Sequence, residues 1–147
     1  MKVLIKQFDQ LTLEELYTLL ALRSEVFVVE QDCVYQDIDQ KDQKALHILG
    51  YVEDNLVAYA RGFKPGDYFK EAAIGRVVVA MDYRKSNYGH EIVDAAIDAV
   101  LERWGPGPIK LSAQTYLIAF YRKHGFETTG QEYLEDGIPH IAMIKEG

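Results

Sequence analysis
The stretch Ile74–His90, Ile-Gly-Arg-Val-Val-Val-Ala-Met-Asp-Tyr-Arg-Lys-Ser-Asn-Tyr-Gly-His, most constrains what this chain can fold into. An apolar run from Ile74 to Met81 gives way to a basic turn and then to a helical pattern. The β-branched Val77, Val78 and Val79 favour a strand buried on both faces. In the turn, Ser86, Asn87 and Gly89 are small or tolerate left-handed backbone, so several N–H groups can converge on one point. The helix that follows adds the free amides and the positive dipole end of its first turn. Strand, turn and helix start together make a site for a phosphate or diphosphate.

The rest of the chain frames this unit. Its 147 residues are expected to form one domain, 1–147, large enough for a sizeable core. Hydrophobic content of 48% and charged content of 27% are those of a soluble globular protein. No apolar run approaches the ~18 residues of a membrane span, and Met1–Lys6 is too short and too soon charged for a signal peptide. The single Cys33 cannot form an internal disulfide, which fits a reducing cytoplasm. A net charge of −7 argues against nucleic-acid and anionic-membrane partners and is compatible with an amine-bearing one.

In chain order, Val3, Ile5 and Phe8 suggest a first strand. Thr12 and Glu15 form a capping box, with Leu11 and Leu16 as its staple. Leu13, Leu16, Leu20 and Phe27 then mark a helix from about residue 13 to the mid-twenties, with a second short helix to Glu30. Residues 31–46 read as a long polar loop whose aspartates are solvated. His47–Val52 and Leu56–Phe63 make a hairpin, and Glu71–Met81 is the central strand. An amphipathic helix runs from Asn87 to Trp104 and ends at Gly105-Pro106-Gly107-Pro108. Ile109–Gln114 is a short strand; Thr115 can cap a helix that closes at Gly125. Phe126–Leu134 and Ile138–Ile144 form a final pair turned at Asp136-Gly137. The order is α+β, with parallel and antiparallel strands mixed.

Two motifs carry a resemblance. Arg84 and Gly89 match the Gln/Arg-x-x-Gly-x-Gly/Ala acyl-CoA loop of the GNAT acetyltransferase superfamily, with Asn87 where the first glycine is usual. About thirty residues on, Phe120-Tyr121-Arg122-Lys123-His124-Gly125-Phe126 is similar to the GNAT stretch Phe/Leu-Tyr-x-x-x-Gly-Phe. Arg23-x-x-Val26-Phe27-Val28-Val29-Glu30-Gln31, Tyr35-Gln36-Asp37, His47-Ile48-Leu49-Gly50 and Asp136-Gly137-Ile138-Pro139-His140-Ile141 resemble the ElaA-like branch of that superfamily. The resemblance implies the GNAT acyl-CoA N-acyltransferase fold, a mixed sheet of about six to seven strands splayed in the middle and flanked by helices. It implies acetyl-CoA as cosubstrate and a primary amine on a small molecule or peptide as acceptor. It allows a homodimer. The runner-up is a non-catalytic acyl-CoA-binding or sensing module on the same fold, suggested by Asn87 in the glycine position.

Residue by residue, the resemblance sets Val77, Val78 and Val79 along the pantetheine arm. It wraps Arg84, Lys85, Ser86, Asn87, Tyr88 and Gly89 around the diphosphate, with Tyr88 and His90 flanking, and sets Gln114 near the cofactor. Tyr121 is the candidate general acid for the departing thiolate, and a phenol within hydrogen-bond reach suits that task. The base is open among His47, His140, Glu71 and a water chain. Arg23, on or beside the apolar helical face, either binds an anionic acceptor group or holds Glu30 or a loop aspartate, and the structural option is favoured. Glu71 is also a candidate acceptor contact. Homoserine-lactone synthesis, on a related fold, is disfavoured because Trp104 is the only tryptophan. The four histidines show no paired ligand spacing, so no metal is expected.

Overall fold
Thr12 starts the first helix as its sequence context requires. Glu15 N–H donates to Thr12 Oγ1 at 3.0 Å, and Thr12 N–H donates to Glu15 Oε1 at 2.8 Å. Lys6, on strand β1 (Lys2–Gln7), reaches the same carboxylate at 2.7 Å and ties the helix start to the sheet. Helix α1 (Leu13–Arg23) passes into a π-helical turn, Ser24–Glu30. The wider ladder shows in Gln31 N–H donating to the Val26 carbonyl at 3.2 Å. Leu19, Leu22 and Val26 are buried, and the expected Leu16, Leu20 and Phe27 pack half-buried against the same cluster, whereas the expected Leu13 is 88% exposed.

The computed structural model describes residues 1–147. Strands β2 (Leu46–Val52), β3 (Asn55–Phe63), β4 (Ala72–Val79), β5 (Ile109–Gln114), β6 (Glu127–Glu135) and β7 (Ile138–Lys145) complete a seven-stranded sheet ordered β1-β2-β3-β4-β5-β7-β6. The β6–β7 turn holds Asp136 at φ 52° and Gly137 at φ 77°, the two left-handed residues of a type I′ hairpin. Side chains alternate between two cores. Ile48, Ala58 and Ala60 face helix α2 (Tyr88–Trp104), while Leu49 and Tyr59 face α1. α2 buries Ile92, Val93, Ala96, Ile97, Ala99 and Val100, each Ile and Val side chain contributing ~1.5–3 kcal/mol. At Gly62 an added Cβ would lie 2.7 Å from Val100 Cγ2, so this glycine permits the close approach of α2 to β3. No helix is long and apolar enough to cross a membrane.

Two irregularities in β4 open the middle of the sheet. Its parallel pairing with β5 is confined to Ala72–Ile109 and Ala73–Lys110, after which the strands part. Opposite β3, Tyr59 pairs with Val78 and Arg61 with Gly75, so Arg76 and Val77 together face Ala60. This is a β-bulge, and Arg76 sits in it at φ 50°. The strand expected over Glu71–Met81 is therefore shorter and kinked. Of its three valines only Val78 is buried, whereas Val77 and Val79 are half-buried beside the gap. The last helix is also shorter than expected: Thr115–Leu117 is a 3₁₀ turn, and α3 covers only Ile118–Arg122.

Candidate active site
The gap between β4 and β5 opens into two adjoining cavities. The larger, about 590 Å³, is lined by Val77, Val78, Val79, Ser86, Asn87 and Gly89 among others. The smaller, about 100 Å³, lies on the other side, among Gly75, Arg76, Ser112, Glu135, Asp136 and His140. Phe27, Gln31, Val77, Gln114, Leu117 and Tyr121 line both, so they form the wall where the two meet. Gln114 and Gln31 are joined across that wall by a 3.4 Å hydrogen bond.

Beside the larger cavity the chain leaves a row of amides without backbone acceptors. The first bond of α2 is Glu91 N–H to the Asn87 carbonyl at 3.1 Å, and no backbone carbonyl accepts from residues 85–90. Asn87 contributes no side-chain cap. Its backbone sits at φ −88°, not in the left-handed region expected of the turn, and Gly89 is likewise not at positive φ. The amides are freed because the turn 84–87, between a 3₁₀ turn at Met81–Tyr83 and the helix start at Tyr88, offers them no backbone acceptor. Arg84 lines this cavity, its Nε donating to the Val79 carbonyl at 3.0 Å and its Nη2 to Glu30 at 2.8 Å. Lys85 and Tyr88 do not line it; Tyr88 packs toward Tyr83 instead.

Tyr121 is 6% exposed and is held by edge-on contacts to Phe120 (5.0 Å) and Phe126 (6.1 Å). Its hydroxyl has no protein hydrogen-bond partner, and burial pushes the phenol above its usual range. On the opposite side of the smaller cavity, His140 pairs across the sheet with Gln114. Its Nδ1–H donates to the Ile138 carbonyl at 2.7 Å, and Nε2 is left 3.5 Å from Glu135.

The fold that carries this gap and these amides is shared with known proteins. The acetyltransferase (GNAT) domain matches residues 9–147. The chain belongs to the GNAT acetyltransferase family. It is 43% identical to Protein ElaA of Escherichia coli over 140 residues, 94% of this chain and 92% of that one. The crystal structure of an acyl-CoA N-acyltransferase from Pseudomonas aeruginosa superposes with a TM-score of 0.93 at 40% identity, covering 98% of both chains. That of E. coli ElaA gives 0.92 at 40% identity over 99% of each. The likeness is ElaA-like along the whole length.

Within this GNAT fold, the two further candidates His47 and Glu71 lie away from both cavities, and Arg23 takes the structural role that was favoured for it. His47 is fully buried, its Nε2–H donating to the Asp42 carbonyl at 2.9 Å and its Nδ1 accepting from the Tyr59 hydroxyl at 2.6 Å. Both nitrogens are used for framework bonds, and burial lowers its proton affinity. Glu71 lies by Pro65 and Trp104, beyond the paired end of β4 and away from both cavities. Arg23 is fully buried, with Nε 2.8 Å from Asp37 and Nη1 2.7 Å from Asp42, so its fork is already occupied.

That fork belongs to a cluster which overturns the solvated reading of the polar loop. Arg61 binds Asp42 at 2.8 Å and Asp39 through Nη2, and Arg76 lies 2.8 Å from Asp37. Arg76 Nη2 also donates to the Asp37 carbonyl at 3.0 Å, which ties the β4 bulge to the loop. Three arginines and three aspartates thus fold residues 37–42 against the sheet. Despite an opposing effect of burial, hydrogen bonds and charge from Arg61 hold the Asp39 carboxyl at about 2, below its ordinary 3.8. A carboxylate depressed by folding stabilises the folded state above its unfolded value and stops doing so as pH falls through the folded one. The melting temperature is therefore expected to hold down to about pH 4 and to fall between about 4 and 2. Thermal denaturation across that range tests this, and a flat profile would refute it.

Bulged Arg76 and the π-turn residues Phe27, Glu30 and Gln31 were not expected at the site. Gly75-Arg76 inside an apolar run is a bulge signal that could have flagged the first. The π-turn has no such local signal.

Proposed function
We propose that residues 1–147 act as one acetyl-CoA-dependent N-acetyltransferase domain that moves the acyl group directly to a primary amine. The observation behind this reading is the joint wall of the two cavities, where the Tyr121 phenol stands between a cavity fitted for a nucleotide and one fitted for an amine. The larger cavity lies within the ~300–1,000 Å³ usual for small-molecule sites. Free amides at 85–90 and Arg84 suit a diphosphate there, with Arg84 exchanging Glu30 for phosphate oxygens. Half-buried Val77 and Val79 would flank the pantetheine arm.

Glu135 and Asp136 at the smaller cavity favour an acceptor that arrives as an ammonium. The attacking nitrogen must lose a proton, and His140 is the residue suited to take it. With Nδ1–H fixed on the Ile138 carbonyl, Nε2 is the atom free to accept. An amide released by the β4 bulge would stabilise the oxyanion, an effect of ~2.7–4 kcal/mol per donor. Tyr121 would hydrogen-bond the sulfur as it leaves. Asn87 at φ −88° needs no glycine, so the motif's departure there carries no weight toward a non-catalytic binding module.

Mass spectrometry of reactions with acetyl-CoA and a panel of small-molecule and peptide amines tests the proposal. An N-acetylated product with at least one acceptor, lost in His140→Asn, is expected. Tight CoA binding with no acetylated product across the panel would favour the binding-module reading. No CoA binding would remove both.

A further inference from the structure
Three side chains that take no part in acetyl transfer form a line that ends at the larger cavity. Asp94 Oδ1 lies 2.8 Å from His124 Nδ1, and His124 Nε2 lies 2.7 Å from His90 Nδ1. Asp94 and His90 are one turn apart on α2, and His124 follows α3. The Asp94 side chain is exposed, whereas the His124 side chain is only 5% exposed. His90 stacks on Phe120 at 4.5 Å and on His124 at 4.9 Å, and it lines the cavity beside Asn87 and Gly89. Its Nε2 is the one ring nitrogen of the pair without a protein partner.

Hydrogen-bond polarity fixes what the line can do. A carboxylate only accepts, so His124 Nδ1 carries a proton. A single proton lies between the two rings. When the pair is neutral, His90 Nδ1–H donates to His124 Nε2, and His90 Nε2 is a bare acceptor. When the pair gains one proton, His124 Nε2–H donates to His90 Nδ1, and His90 Nε2 becomes an N–H donor. The positive charge then rests on His124 against Asp94. It does not rest on His90, where the dipole of the α2 N-terminus would oppose it. A lone histidine at this position would have to hold the charge itself.

We infer that the Asp94–His124–His90 line is a proton-coupled binding element for the diphosphate of CoA. One proton taken up on binding converts His90 Nε2 into a phosphate donor. The inference rests on CoA occupying the larger cavity. The other charged or titratable groups facing it are Arg84 with its partner Glu30, Tyr116 and Tyr121. The line adds donor capacity that the amides at 85–90 and Arg84 do not supply, and it makes CoA affinity fall as pH rises.

Calorimetric titration of CoA into the full chain, in buffers of differing ionisation enthalpy from pH 5.5 to 9, tests this. Wild type is expected to take up part of a proton per CoA and to lose roughly tenfold in affinity across the range, the worth of about one charge-assisted hydrogen bond. Asp94→Ala, at an exposed position, removes the carboxylate that holds the charge on His124 and should move the affinity loss to lower pH. His90→Gln, whose amide donates at every pH, should bind with no protein-linked uptake. The 3′-phosphate of CoA titrates near pH ~6 itself, but identically in all three proteins, and repeating the series with dephospho-CoA removes it. Equal uptake and equal pH dependence in wild type and His90→Gln would overturn the inference and leave the CoA site intact. Absence of CoA binding to wild type would overturn the site together with the inference.

Discussion
Tyr121→Phe is expected to lower kcat for acetyl transfer by roughly a hundredfold or more, the ~10²–10³ typical of losing one hydrogen-bond donor aimed at developing charge, and to leave the Kd for acetyl-CoA within about twofold. The split follows from where the oxygen stands. The ring is wedged between Phe120 and Phe126, and Phe fills the same space, so neither fold nor cavity wall should change. The phenol has no protein partner whose loss would register as instability. What disappears is a donor needed only when the sulfur gains charge, and an interaction confined to the transition state appears in kcat rather than in binding. Burial raises the phenol above its usual range, so Tyr121 acts by donating a hydrogen bond that strengthens as the thiolate forms. It stays protonated through the working range, and the basic limb of the pH–rate profile should belong to other groups. Stopped-time product analysis with the acceptor found by the amine panel, beside a CoA titration, separates the two quantities. A wild-type kcat in Tyr121→Phe would remove the phenol from the mechanism.

Local pattern made much of this molecule legible. The capping box at Thr12, the amphipathic α2, the hairpin at Asp136-Gly137 and the strand-turn-helix after Ile74 each depend on residues within one or two turns of one another. The splay between β4 and β5 was implied by family likeness, since nothing in the strand sequences states where pairing stops. The misreadings share a cause. Asp37, Asp39 and Asp42 look solvated because their neighbours are polar, yet their partners lie 14 to 39 residues away on three other elements. His47 looked like a candidate base because it opens a strand beside the loop, and only the fold reveals that Asp42 and Tyr59 enclose it. Leu13 extended the stripe one turn too early, because periodicity locates a stripe but not where along the helix its contact with the core begins. The left-handed turn inferred from Asn87 and Gly89 was replaced by a turn at 84–87, between a 3₁₀ turn and a helix start, which frees the same amides without positive φ.

The long-range ion cluster also sets the largest stability effect. Asp42 Oδ1 accepts from Arg23 Nη1 at 2.7 Å and from Arg61 Nη1 at 2.8 Å, and those two arginines are 0% and 1% exposed. Asp42→Ala leaves three arginines facing two aspartates, with one buried positive charge uncompensated. Removing one partner of a buried ion pair costs ~3–5 kcal/mol, because the orphaned charge stays out of water. For a chain of this size that corresponds to a melting temperature lowered by about 10 °C. Asp42→Asn, which keeps one acceptor oxygen, should fall between. The exposed pair Arg122–Glu127 provides the contrast: at 53% and 67% side-chain exposure, Glu127→Ala should shift melting by no more than a degree or two, as expected of a solvent-screened bridge. The same cluster should matter at the site, because Asp37 and Asp39 also hold Arg76 at φ 50° in the β4 bulge. A non-glycine residue there costs ~1–3 kcal/mol and persists only while its surroundings enforce it. Loosening the loop in Asp42→Ala should therefore reduce acetyl transfer beyond what the unfolded fraction explains, measured well below the lowered melting point. Melting within a degree of wild type would show that the guanidinium groups reach water when Asp42 is gone, and the cluster would then be a surface network rather than the framework beneath the bulge.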